Sequence, residues 1–193
     1  MDSRLIAWAR AVKRRHAGPP PLWFFTDEAR APDPLSIIRR LPPGLCGVLL
    51  RHDSHPHRAA LAKAAARLCR ARRLALIIAG DAKLAARLQA GVHLRGGQGG
   101  RPTGWHGGLV SASVHNEAQM RRARRAGAEL VFISPVFPTA SHPGAVVLGG
   151  AGWRRLARQA GRIKPYALGG INGVNMKRTG LLCAGIGAID AFL

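Results

Sequence analysis

The chain has 193 residues, 47% of them hydrophobic, and its 30 Lys and Arg residues against 9 Asp and Glu residues give a formal net charge of +21. This length and composition predict one globular domain over residues 1–193 with a substantial buried core. No apolar run reaches the ~18 residues of a membrane helix, so we expect no membrane partner. The three cysteines are far apart and form no Cys-x-x-Cys pair, which argues against a disulfide framework and favours the cytoplasm.

The basic surplus, most of it arginine, favours anionic partners: phosphorylated small molecules, nucleic acid or another polyanion. The basic residues recur as pairs such as Arg72-Arg73 and Arg121-Arg122 and do not gather into one stripe. This dispersion argues against a dedicated nucleic-acid groove. A solvated basic surface and a polyanion-binding surface remain as alternatives.

The pattern of apolar residues predicts an N-terminal helix over residues 1–18, followed by short apolar runs that alternate with helical stretches. Continuous apolar runs are typical of strands that are covered on both faces. The predicted strands are Leu22–Thr26, Cys46–Arg51, Leu74–Ala79, Gly91–Leu94, Leu109–Ala112, Leu130–Ser134, Pro165–Gly169 and Gly185–Ile189. The predicted helices between them are His55–Ala71, Ala82–Gln89, Asn116–Ala126 and Ala151–Ala160.

This alternation predicts an α/β fold with a parallel sheet. Eight strands in 193 residues indicate a compact (β/α)8 barrel of the TIM type over residues 22–193, with the N-terminal helix as an addition. The chain stops four residues after the eighth predicted strand, so we expect a truncated C-terminus without an eighth helix.

In such a barrel, ligands sit at the C-terminal ends of the strands. Those ends supply Arg51, Ser113, His115 and the pair Gly169-Gly170. Arginine forks, hydroxyls and exposed backbone N–H groups together suit a phosphorylated ligand. The glycine-rich segment Arg95–Gly108 follows the fourth strand and is either a lid or a degenerate helix.

The loop after the sixth predicted strand, PVFPTASHPGA, is the most specific segment of the chain. Pro138 and Pro143 stiffen it, and Thr139 and Ser141 present hydroxyl groups between them. This geometry suits a diphosphate.

The run Ala126–Gly144 (AGAELVFISPVFPTASHPG) resembles a pattern of the thiamine-phosphate synthase/TenI family. Gly91–Leu94 (GVHL), Ser113–His115 (SVH) and Ala167–Ile171 (ALGGI) match that family in order and spacing. The resemblance covers roughly residues 22–192.

The resemblance implies an enzyme of thiamine biosynthesis. Synthases of this family join a pyrimidine methyl diphosphate to a thiazole phosphate and release diphosphate, with magnesium and basic groups stabilising the leaving group. TenI proteins instead isomerise the thiazole through a proton-transfer group. The resemblance assigns catalysis to Arg51 and His115, although His115 is also placed to cap the following helix. It assigns phosphate or diphosphate binding to Ser113, Thr139, Ser141, His142, Gly169 and Gly170.

Several positions depart from the family pattern. Around Arg51, the family's Gln and Lys are replaced by Leu49 and Asp53, and the lysine of the diphosphate loop is replaced by His142. A serine on the eighth strand is replaced by Asp190, which puts a negative charge beside the expected phosphate.

The magnesium ligands also depart from the pattern. One family carboxylate is replaced by Gln98, and the other falls on Ala79-Gly80, which leaves Asp81 one residue later as the candidate metal ligand. The histidines within residues 52–57 form either a second metal site or a solvated loop. The alternatives are therefore a synthase, a TenI-type tautomerase, or a catalytically degenerate binding or regulatory barrel. A homo-oligomer is compatible with each of them.

Overall fold

A computed structural model of the chain describes residues 1–96, 100–141 and 143–193. Gln98 and His142 lie outside the described residues. Gln98 was predicted to stand in place of a metal ligand, and His142 was predicted to bind phosphate or diphosphate in the loop after the sixth strand. Eight parallel strands close into a barrel in which each strand pairs with its neighbours in the sequence and the eighth pairs with the first. The predicted (β/α)8 fold is confirmed.

All eight predicted strands form, with ends that differ from the prediction by at most two residues. They are β1 (Leu22–Phe25), β2 (Cys46–Leu50), β3 (Ala75–Ala79), β4 (Gly91–Leu94), β5 (Val110–Val114), β6 (Leu130–Ile133), β7 (Lys164–Leu168) and β8 (Gly185–Ala188). Five predictions extended one residue too far at the C-terminal end, to Thr26, Arg51, Ser134, Gly169 and Ile189. At those positions the chain leaves the sheet and turns into the loops of the barrel mouth.

The helices are α1 (Ser3–Arg15), α2 (Pro34–Ile38), α3 (Arg58–Ala71), α4 (Ala82–Arg87), α5 (Glu117–Arg125) and α6 (Gly149–Ala157). The helix α2 was not predicted, because five residues are too few to show a helical period. Its start is nevertheless well specified, since the Asp33 carboxylate accepts from two backbone N–H groups and Pro34 occupies the first helical position. Within residues 143–193, only 3-10 helices follow β7 and β8, at Met176–Thr179 and Asp190–Phe192.

Two layers of apolar side chains hold the barrel. The inner layer fills the barrel itself, where the Phe132 ring lies 4.7 Å from Phe25 and 5.4 Å from Tyr166 between ring centroids. Gly47 makes room for the Trp23 ring, because a Cβ atom there would approach it to 2.7 Å. A filled interior leaves ligand space only at the mouth.

The outer layer lies between the strands and the helices and includes one face of α1, formed by Leu5, Ala9 and Val12. The Asp2 carboxylate caps α1 by accepting from the Arg4 backbone N–H at 2.8 Å. At the other end, His16 lies 3.2 Å from the Leu181 carbonyl oxygen, just before β8. None of the helices in the described residues combines the length and the apolarity that a membrane crossing needs.

Candidate active site

Two adjoining cavities open at the C-terminal ends of the strands. The first, here the β6–β8 cavity, has a volume of about 310 Å³ and is lined by Arg30, Ser134, Thr139, Ser141, Gly169, Gly170 and Asp190, among others. The second, the β1–β5 cavity, has a volume of about 550 Å³ and is lined by Asp27, Arg51, Asp53, His93, Arg95 and Ser113, among others. Arg51, His115 and Ser134 line both, so the two cavities form one mouth.

The floor of the β6–β8 cavity is built from backbone. Gly169 and Gly170 both adopt positive φ, at 91° and 64°. A Cβ atom on Gly170 would collide with the Pro138 carbonyl oxygen, so only glycine fits there. The loop after β6 is tied to the same place, because the Phe137 N–H donates to the Gly169 carbonyl oxygen at 3.1 Å. The predicted glycine pair and diphosphate loop therefore lie side by side.

His115 stands at the edge of both cavities with a defined tautomer. Its Nδ1 lies 2.7 Å from the Ser134 carbonyl oxygen, which can only accept, so Nδ1 carries the proton. In the neutral ring, Nε2 then keeps a lone pair for a ligand. The alternative role as a helix cap is wrong: Asn116 caps α5, by accepting from the Gln119 N–H at 2.9 Å.

Beneath the β1–β5 cavity, His93 joins two serines. Its Nδ1 lies 2.9 Å from the Ser111 hydroxyl and its Nε2 lies 2.8 Å from the Ser113 hydroxyl. Burial lowers the pKa of His93 to about 3, and the charges of Arg95 and Arg51 act in the same direction, so the ring is neutral.

The Ser111 hydroxyl has the Val92 carbonyl oxygen within 3.4 Å as an acceptor for its proton. With that proton so placed, Ser111 accepts from His93 and Ser113 donates to His93. Ser113 then turns lone pairs, not a proton, towards the cavity. His93 was not predicted as a site residue, because the segment GVHL was interpreted only as a strand and a family motif.

Arg30 connects the two cavities and was also missed. Its guanidinium lies 3.2 Å from Asp27 and 3.2 Å from Asp190, and it donates to the Ser141 hydroxyl at 2.7 Å. Asp190 thus has a counter-ion, although its side chain is 65% exposed. Asp27 and Arg30 are three residues apart, and a carboxylate and an arginine at that spacing after a strand were a usable signal.

Arg51 is held in place by the end of β1. Its Nε donates to the Thr26 carbonyl oxygen at 3.1 Å and its Nη2 to Asp27 at 2.8 Å. Burial alone would raise the pKa of Asp27, but its hydrogen bonds and charge interaction with Arg30, and the charge of Arg51, outweigh this and lower it. Asp27 therefore stays ionised and fixes both arginines.

Two further carboxylates at or near the mouth, Asp53 and Asp81, are paired with arginines as well. Asp53 contacts Arg95 and lies 3.3 Å from Arg58, and Asp81 lies 3.4 Å from Arg58. Asp81 also caps α4, by accepting from the Leu84 N–H at 2.8 Å.

A sequence profile described as thiamine monophosphate synthase matches residues 36–189 of the chain. The chain belongs to the thiamine monophosphate synthase family. The resemblance inferred from VFISPVFPTASHPG and its companion motifs is confirmed.

Relatives of known name agree with this family. The thiamine-phosphate synthase of Geobacillus kaustophilus is 34% identical over 123 residues, which are 61% of this chain and 56% of that protein. The thiamine-phosphate synthase of Synechococcus sp. (strain WH7803) is 36% identical over 74 residues, which are 36% of this chain and 20% of that protein. The matched part therefore spans about half of the first relative's length and a fifth of the second's.

Solved structures agree on the fold. The thiamine phosphate pyrophosphorylase from Pyrococcus furiosus superimposes with a TM-score of 0.72 at 24% identity, covering 88% of this chain and 85% of that one. FabK from Thermotoga maritima superimposes with a TM-score of 0.67 at 17% identity, covering 94% and 61%. At these identities the likeness shows the barrel and no more.

The magnesium expected for a thiamine monophosphate synthase does not fit the carboxylates of this mouth. Both candidate oxygens of Asp81 are engaged, one by the α4 N-terminus and one by Arg58. Over the ranges 1–96, 100–141 and 143–193, no group of three or more His, Cys, Asp and Glu side chains is arranged to hold a metal ion, the histidines of residues 52–57 included. Asp81 therefore has no unengaged oxygen with which to bind a metal ion.

Proposed function

We propose that this protein is a thiamine-phosphate synthase that binds a thiazole phosphate in the β6–β8 cavity and a pyrimidine methyl diphosphate across the β1–β5 cavity. The observation that carries the proposal is the joined mouth, in which a glycine-floored pocket of about 310 Å³ adjoins a pocket bordered by arginines. Membership of the family supports the substrate classes.

In the proposed complex, the backbone N–H groups around Gly169 and Gly170 and the hydroxyls of Thr139 and Ser141 receive the thiazole phosphate. Such neutral donors bind an anion without needing a cation in the pocket. His142 remains a predicted phosphate- or diphosphate-binding residue of this loop.

In the proposed coupling, the bond between the pyrimidine methylene carbon and the diphosphate oxygen breaks, and the thiazole nitrogen bonds to that carbon. Negative charge collects on the leaving diphosphate as the bond breaks. Arg51, fixed by Thr26 and Asp27, faces this charge from between the cavities. Placing a fixed cation where charge develops is the largest source of acceleration in such a site.

The lone pair on His115 Nε2 also suits proton transfer, as in the TenI-type alternative. One assay separates the alternatives: purified protein is incubated with both substrates, and with the thiazole phosphate alone, and the products are separated by chromatography. We expect thiamine phosphate to form, with kcat/KM lowered by at least about 100-fold in Arg51→Ala. Arg67→Ala, which changes an exposed arginine on α3, is the matched control.

Isomerised thiazole without coupling would replace the synthase by a tautomerase. Thiazole phosphate that raises the melting temperature without any turnover would indicate a binding barrel. If the protein shows no turnover and thiazole phosphate causes no thermal shift, the proposal is rejected altogether. The single domain, the cytoplasmic location and a homo-oligomer remain predictions from the sequence.

A further inference from the structure

The guanidinium of Arg58, the first residue of α3, sits in a cage of four oxygen atoms. Its Nη2 lies 2.6 Å from the Ala79 carbonyl oxygen and 3.3 Å from an Asp53 carboxylate oxygen. Its Nη1 lies 3.4 Å from an Asp81 carboxylate oxygen, and its Nε lies 3.4 Å from the Arg51 carbonyl oxygen. Two carboxylates and two carbonyls are the ligand set that hard divalent cations prefer, and here a side chain of the protein occupies it.

The charges of this cluster balance without a metal ion. Arg58 and Arg95 contribute two positive charges, and Asp53 and Asp81 contribute two negative charges. The Arg58 side chain is only 17% exposed, so its charge is shielded from solvent and held by the cage. A divalent cation entering the same place would meet a resident guanidinium and would have to displace it.

Arg95 brings the same cluster to the ligand. It contacts the other carboxylate oxygen of Asp53 and lines the β1–β5 cavity together with Arg51. Arg58 does not need to reach the cavity, because its pairing with Asp53 and Asp81 offsets one of their two negative charges. Arg95 offsets the other, so the cluster presents no net negative charge to an anion in the cavity that Arg51 and Arg95 line.

We propose that Arg58 is a built-in cation that takes the place of a divalent metal in this chain, and that the β1–β5 cavity binds a diphosphate through Arg51 and Arg95 without metal. The identity of the anion rests on the proposed function. The assignment of the cage to Arg58 rests only on the four oxygen contacts.

The cage is tested by titrating the protein with Mn²⁺ alone. Electron paramagnetic resonance measures the free Mn²⁺, whose signal falls as the ion binds. We expect the unaltered protein to show weak binding and Arg58→Ala to bind Mn²⁺ at least about tenfold more tightly, because the vacated oxygens then face a cavity. Arg67→Ala, which removes an exposed arginine from the same helix, should behave like the unaltered protein. Unaltered protein that binds Mn²⁺ as tightly as Arg58→Ala would overturn the proposal.

Two further measurements keep this test decisive if Arg58→Ala is unstable. Arg58→Lys keeps the charge, so it should fold and should bind Mn²⁺ no better than the unaltered protein. Low-millimolar guanidinium should raise the melting temperature of Arg58→Ala and leave that of Arg67→Ala unchanged. Tight Mn²⁺ binding by Arg58→Lys, or equal responses of the two alanine variants to guanidinium, would count against a resident cation.

The anion is tested with inorganic diphosphate by calorimetry in the presence of a chelator. We expect binding by the unaltered protein and by Arg67→Ala, and at least about a tenfold loss in Arg95→Ala. Diphosphate that binds only after divalent metal is added would overturn metal-free binding. Diphosphate that binds under neither condition would reject the proposed function and the anion part of this inference, while the Mn²⁺ experiment would still decide the role of Arg58.

Discussion

The two cavities at the barrel mouth meet an anion in different ways. The β6–β8 cavity uses backbone and hydroxyl dipoles around Gly169, Gly170 and Ser141, whose positions are fixed by the turn of the chain. The β1–β5 cavity uses arginines whose positions are fixed by carboxylates, such as Arg51 by Asp27. The first depends on the backbone and tolerates little change in shape, whereas the second depends on charge and is sensitive to pH, salt and the loss of one partner.

This difference explains where the chain keeps the family pattern. PVFPT and the glycine pair shape the backbone, and both are present. The departures fall mainly on ionic positions: Asp53, Asp81 and Asp190 stand where the pattern has other groups or other spacing. A charged site can be rebuilt by exchanging partners, because an arginine can supply the charge that a metal would supply, but a backbone pocket has no such substitute.

The largest effect is expected where the backbone pocket loses its shape. Gly170→Ala should lower the free energy of unfolding by about 2–5 kcal/mol, because the new methyl group both strains a positive φ and meets the Pro138 carbonyl oxygen. Chemical denaturation measures this. Gly161→Ala is the control, since Gly161 has a φ of 65° with no atom within 4 Å of the added Cβ, and it should cost only about 1 kcal/mol. Equal losses in the two variants would show that the close approach to Pro138 has no energetic weight.

The next effect is a loss of folding stability in acid, caused by His93 beneath the β1–β5 cavity. The pKa of His93 is about 3 in the folded chain against 6.5 for an ordinary histidine, so below pH 6.5 the unfolded chain binds a proton that the folded chain does not. Stability should therefore fall as the pH falls from 6.5 towards 3, with His93 contributing up to about 1.4 kcal/mol per pH unit. Denaturation curves at a series of pH values measure the slope.

His93→Gln isolates this contribution, because it can keep hydrogen bonds to Ser111 and Ser113 without titrating. The dependence of its unfolding free energy on pH should be shallower than that of the unaltered protein, by an amount that corresponds to the binding of close to one proton. A slope in His93→Gln that matches the unaltered protein would mean that His93 is not held neutral.

The outline of both cavities could be predicted from sequence, but most of their ionic contacts could not. Apolar runs fixed the eight strands, and strand ends then placed Gly169-Gly170 and His115 at one mouth. The pair Arg30–Asp190 joins residues 160 positions apart, and Arg58–Asp81 joins residues 23 apart. Such partners are chosen only when the barrel closes, since several arginines and carboxylates end up at the same edge and no local pattern says which will meet.

The third effect concerns the negative charge of Asp190, at the edge of the β6–β8 cavity. Asp190→Ser removes a negative charge beside the glycine pocket and releases Arg30 from it. We expect the affinity for thiazole phosphate to rise by about tenfold at low salt, equivalent to about 1.4 kcal/mol, and the gain to shrink as salt is added. Calorimetric titration measures it. Asp190→Asn should give most of the same gain if charge is responsible, and an unchanged affinity in both variants would show that Arg30 already neutralises Asp190.

The smallest effect concerns the boundary between the cavities, where His115 precedes α5. The carboxamide oxygen of Asn116 caps that helix by accepting from the Gln119 N–H. Asn116→Ala removes this cap and should lower the free energy of unfolding by about 1 kcal/mol. Asn116→Ser retains an acceptor and should cost less. The His115 backbone N–H is also held, by the Gln119 side chain, so loss of the cap loosens the segment that aims the imidazole at the ligand. If both variants lose stability but keep full turnover, then Ser134 alone orients His115, and the boundary is set by β6 and not by the start of α5.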